Sequence, residues 1–173
     1  FRSMFLLNNS HFENTSSDAL DVDFSVGTIS NSSFKNCIND AVDVSGRNIT
    51  LLNLTIDKVG DKAISLGENG HMKGENITIS NSDIALVVKD LSSAEFNNIS
   101  VNNVKVGIAV YQKKSQFGPG VAILNNFKSK NLEEKYLLET NSKLEIDRKN
   151  ITPNHDDVSS IFYGSVYGKA SVR

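Results

Sequence analysis

Two stretches of the chain carry acids at a spacing that could do chemistry. "DALDVDFS" (18–25) and "DAVDVSGR" (40–47) are the same text moved along by 22 residues. If each is a strand with Leu20/Val22 or Val42/Val44 turned inward, then Asp21, Asp23 and Asp43 turn outward. Stacking the two strands puts Asp43 about 4.8 Å from Asp21. Carboxylates that close repel unless a cation or hydrogen bonds relieve them, and three outward oxygen donors suit a hard cation such as calcium. Continued at the same step, one outward column reads Asp21, Asp43, Ser65, Val87, Ala109. Its neighbour reads Asp23, Ser45, Gly67, Lys89, Tyr111, with Glu68, Asp90 and Lys113 at the margin. Such a face runs from acidic to basic and aromatic. Outward acids and lysines on a sheet also serve simply as solvated residues, and Asp18, Asp40 and Asp61 occupy turns just before a strand, where Asp bonds nearby backbone.

The elements that must hold this face repeat. Leu20, Val42, Ile64, Leu86 and Ile108 are 22 residues apart, as are Val22, Val44, Leu66, Val88 and Val110. A third column is Phe12, Phe34, Ile56, Ile79, Val101, and a fourth is Asn9, Asn31, Asn53, Asn76, Asn98, each with one single-residue adjustment. A fixed period of this length means a solenoid, and alternating apolar residues within each row make its pieces short strands. The chain has 21 Asn, and Asn tolerates left-handed backbone, so frequent regular turns follow. The Asn column is expected to form a ladder of amides at an inward turn, mostly buried, each bonding the next.

These columns resemble the right-handed parallel β-helix superfamily, whose familiar members include pectate lyases and related polysaccharide enzymes. The resemblance covers roughly residues 4–131 and implies an all-β fold with about 22 residues per coil. It also implies roles. Asp21, Asp23 and Asp43 would be calcium ligands, Lys89 the base that abstracts a proton from a uronate, and Tyr111 a platform for sugar. Lys113, Glu68 and Asp90 would complete the substrate-binding set. The chain has no Trp and lacks the paired-aspartate and Gly-His-Gly pattern of polygalacturonases. The stretches "GDKAISLGENG", "LVVKDLS" and "YQKKSQFGPG" are further similar to uncharacterised bacterial β-helix proteins, which implies an extracellular or envelope location.

The remaining text bounds the reading. A net charge of -2 gives no field for nucleic acid, and the longest apolar run, Ile84 to Val88, is too short to span a membrane. Cys37 stands alone, a small buried apolar residue rather than half of an internal disulfide. Coils are expected over 1–149, with a polar Gly-Pro-Gly loop at 112–120 bulging from the stack. Residues 150–173 are expected to close the last coil, with a short helix capped by Thr152 or Asn154. The amino-terminal text enters a coil directly, so the first coil is expected to seat either preceding coils of the same protein or a second copy. Two functions remain: a non-catalytic carbohydrate-binding or structural module, and a polysaccharide lyase or hydrolase working through the acidic face.

Overall fold

The computed structural model describes residues 3–164 and Tyr167. Ten strands precede one helix: β1 (Met4–Asn8), β2 (His11–Thr15), β3 (Leu20–Asp23), β4 (Val26–Cys37), β5 (Val42–Val59), β6 (Lys62–Lys89), β7 (Ser93–Tyr111), β8 (Val121–Leu138), β9 (Lys143–Ile146), β10 (Lys149–Asn150) and α1 (Val158–Tyr163). Every pairing from β1 to β9 is parallel, and the ladder runs β1-β4-β5-β6-β7-β8-β9, closed by the antiparallel β10. The register steps by one coil: Leu20 faces Val42, and Val42 faces Ile64. The chain is thus a parallel β-solenoid of about 22 residues per turn.

Each coil has three faces. The first stacks 4–8 on 26–30 and continues through 49–52, 71–75, 93–97, 121–125 and 143–146. The second stacks 11–15, 33–37, 54–57, 77–80 and 99–102, and the third stacks 20–23, 42–45, 64–67, 86–89 and 108–111. The longer strands run through their corners because one left-handed residue turns the chain while the ladder continues. Asn9, Asn31, Asn53, Asn76 and Asn98 are those residues between the first and second faces, with φ between 49° and 57°. A branched side chain there would press against its own carbonyl, and Asn tolerates it.

The amide ladder forms: Asn53 donates to Asn31 at 2.9 Å, Asn76 to Asn53 at 2.9 Å and Asn98 to Asn76 at 3.1 Å. These side chains are exposed, however, not buried. Positive φ swings the corner Cβ away from the lumen, so the ladder runs along the outer edge. A second ladder, missed in the sequence, follows the next corner, where Asn36 bonds Asn14 at 2.5 Å and Asn103 bonds Asn81 at 2.7 Å.

The lumen is dry and aliphatic. Val42, Ile64, Leu86 and Ile108 form one file with no exposure, and Phe12 stacks on Phe34 with ring centroids 4.9 Å apart. Cys37 is buried among them. Residues 112–120 form a loop outside the strands, folded around Gln112, whose side-chain amide donates to the Phe117 carbonyl at 2.5 Å.

The chain after β10 does two jobs where a single end cover was expected. Residues 151–156 lie along the last coil, where Asn154 and His155 donate backbone N–H to the Leu138 carbonyl at 3.0 and 3.1 Å. The helix then turns onto the third face. Its N-cap is Asp157, not Thr152 or Asn154, and the Asp157 carboxylate accepts Ser160 N–H at 2.8 Å. Val158 and Phe162 are fully buried against outward side chains of that face: Ile84, Val87, Val106, Ala109, Tyr111 and Leu137. Apolar residues pointing out of a coil need a cover, and α1 is it.

Candidate functional site

Acids and lysines gather on the outer surface of the third face, which three columns describe. The first reads Asp18, Asp40, Lys62, Ile84, Val106; the second Asp21, Asp43, Ser65, Val87, Ala109; the third Asp23, Ser45, Gly67, Lys89, Tyr111. Their lower rows are polar and open. Their upper rows are apolar and lie under α1. The charged groups meet at the border.

Asp18 and Asp40 act first as corner residues. Asp18 Oδ1 accepts Asp40 N–H at 2.9 Å, and Asp40 Oδ1 accepts Lys62 N–H at 2.9 Å, so each carboxylate pins the coil above. Lys62 then adds a buried ion triplet, its Nζ 2.5 Å from Asp61 Oδ2 and 3.3 Å from Asp40 Oδ1. Burial raises Asp40, outweighing the Lys62 charge beside it. Burial works against the Lys62 charge too, yet Asp40 and Asp61 hold that ammonium above its ordinary range.

Lys89, the expected base, lies down rather than out. Its side chain crosses Gly67, where an added Cβ would come within 3.2 Å of its Cε, and its ammonium donates to Ser65 Oγ at 2.6 Å. Burial lowers Lys89, only partly offset by Asp43. Asp43 keeps Oδ1 sealed from water with no hydrogen-bond partner. Lys89 is therefore brought to Ser65, whose strand neighbour on the coil below is Asp43.

The other expected site residues part company. Asp21 and Asp23 are exposed. Burial, then the Asp23, Asp43 and Asp18 charges, raises Asp21. The three acids do not converge on a cation: no group of three His, Cys, Asp or Glu that could hold a metal ion exists among the described residues. Asp23 sits two residues along from Asp21, about 7 Å by strand geometry, and Asp43 faces Ser65 and Lys89.

Tyr111 is a correction. Its ring has no exposure, meets Phe162 edge-on at 5.6 Å, and its hydroxyl lies 3.4 Å from that of Tyr163. A sugar has no ring face to stack on, because α1 occupies it. Asp90 is also fully buried and structural, its Oδ1 accepting the backbone N–H of Lys113 and Lys114 at 2.7 Å each. Glu68 pairs with Lys114. Lys113 places its ammonium 4.2 Å from the Tyr163 ring centroid. Burial, then Lys89 and Lys62, brings Lys113 down to about 8.

Sequence reasoning missed Glu139 and the Tyr163 cover. The Glu139 carboxylate accepts Gln112 N–H at 2.9 Å and Val158 N–H at 3.0 Å, tying the loop to the helix start. The signal for the cover was present in the outward apolar text Ile84, Val87 and Ala109. A separate open groove, also missed, lies near the top of the first face between Asn97, Asn125, Asn126, Glu145 and Arg148.

Among the described residues no helix is long and apolar enough to cross a membrane. No curated protein and no solved structure matches the chain. The stacked parallel coils agree with a family model described as a right-handed β-helix region, which matches residues 2–151, and the chain belongs to that family.

Proposed function

We propose that this chain is a non-catalytic β-helix module, structural or carbohydrate-binding, within a larger secreted or envelope protein of bacterial type. The observation that carries it is the use made of the charged face. Lys62 is consumed by two acids, Lys89 by Ser65, Lys114 by Glu68, and Tyr111 by α1. Among the described residues, the lysines of this face are used in its own packing, while Asp21 and Asp23 stand apart from them in solvent. The groove of Asn97, Asn125, Asn126, Glu145 and Arg148 offers amide, carboxylate and guanidinium groups to sugar hydroxyls instead.

The first coil supports the modular part of the reading. Met4 is 86% exposed and Leu6 75%, and β1 stands at the end of the sheet path. Another β surface, from preceding coils or a second copy, would cover them. Sedimentation of the isolated chain at micromolar concentration distinguishes self-association from a free monomer.

A panel of neutral and acidic polysaccharides tests the whole. Retardation in affinity electrophoresis that weakens in Arg148→Ala, with no product released, supports the module. A polysaccharide lyase is the second reading, favoured by the lowered basicity of Lys89, which brings an amine nearer the range of a working base. An unsaturated product absorbing in the near ultraviolet, lost in Lys89→Met, overturns the first reading for the second.

A further inference from the structure

The ion triplet at the border of the third face gathers one lysine and two aspartates out of water. Their side chains are nearly dry, at 9% exposure for Lys62, 5% for Asp40 and 12% for Asp61. Ile84 takes the next place in the Lys62 column, and α1 brings Tyr163 to the same border. Burial leaves Asp40 carrying a proton more readily than a solvated acid does. An amine, a carboxylic acid and a carboxylate thus stand together, with Lys62 Nζ 3.3 Å from Asp40 Oδ1 and 2.5 Å from Asp61 Oδ2. Those are the reactants and the proton carrier of an amide condensation.

We propose that Asp40 and Lys62 become joined by an isopeptide bond that forms spontaneously in the folded chain, with Asp61 moving the protons. Asp61 takes a proton from the Lys62 ammonium along their hydrogen bond. The freed Nζ lone pair attacks Asp40 Cγ, and a new C–N bond forms. The Cγ–OH bond then breaks. The hydroxyl leaves as water with a second proton from Nζ, relayed by Asp61, which ends holding one proton that it returns to solvent. Nothing is oxidised or reduced, and no further reactant is needed.

The fold supplies what free side chains lack. Held reactants gain effective molarities on the order of 10⁵ M or more, and a dry pocket protects the amide from hydrolysis. The same two acids keep Lys62 charged at rest, so the reactive amine is a minority form and the bond matures after folding. The product would tie two successive coils covalently, at the row where the third face passes from open to covered.

Intact mass spectrometry of the purified, folded chain after incubation at neutral pH decides the matter. The expected wild-type mass is one water below that of the sequence. Trypsin should leave Lys62 uncut and release its peptide joined to the one containing Asp40. Lys62→Arg and Asp61→Ala should keep full mass while circular dichroism shows them folded. Full wild-type mass with free cleavage at Lys62 overturns the proposal, whether or not the variants fold. So does a water loss that mild alkali reverses, because it marks a succinimide rather than a cross-link.

Discussion

The lower and upper halves of the third face are built from the same strand text, yet they end in opposite environments. Below, Asp21 and Asp23 stand in solvent. Above, Val87, Ala109 and Tyr111 occupy the same outward columns and are sealed by Phe162 and Val158. The backbone ladder does not distinguish them. The difference comes from the side chains, which either invite a cover or repel one. Where the two halves meet, the charges of Asp40, Lys62 and Lys89 are caught at the margin of a dry patch, and burial there is the largest influence on each of them. A row of acids is therefore no indication of a site until its neighbours above and below are known.

The comparison is broken most severely at the border. Lys62→Met removes the buried cation that Asp40 and Asp61 share, and should cost ~3–5 kcal/mol in urea unfolding. In the lumen Ile64 has no exposure, so Ile64→Ala should cost ~2–5 kcal/mol, the neighbouring coils being unable to collapse into the gap. A lumen file that tolerates the change would show looser packing than its zero exposure implies.

The covered half has a pH signature. Lys113 titrates at about 8 in the folded chain against 10.5 when unfolded, so between those values the unfolded chain binds more protons. Stability from this group therefore rises as pH climbs from about 8 toward 10.5, and the penalty for holding it charged is fully present below about 8. Melting temperature followed over that window should rise in wild type relative to Lys113→Gln. Parallel curves would place Lys113 in solvent instead.

The smallest effect belongs to the open half. Asp21→Asn with Asp23→Asn should change stability by no more than ~0.5 kcal/mol, as for exposed positions generally. The sign should be slightly favourable, because Asp21 is raised by burial and by its acidic neighbours. A calcium titration should move the melting temperature of wild type and this pair equally. A rise confined to wild type would restore the cation set that the geometry does not support.

Much of this was legible in the chain. The 22-residue columns named the lumen file Val42, Ile64, Leu86 and Ile108, because stacked strands must repeat their inward residues at the coil length. The placing of Ser65 above Asp43 followed from the same arithmetic. The exposure of Asn31, Asn53 and Asn76 did not, since a ladder at a corner can face either way and only the sign of φ settles it. Repeat period determined the solenoid, its register and the outward columns, all local and cumulative properties. Where the aperiodic tail would lie was a different matter. Its six-residue helix carries no register signal, and it settled on the third face because Ile84, Val87, Val106 and Ala109 together offered an apolar patch that no single coil contains. That placement helped to bury Tyr111 and to close the border around Lys62 and Lys113, because desolvation belongs to the assembled surface and is written in no one stretch of residues.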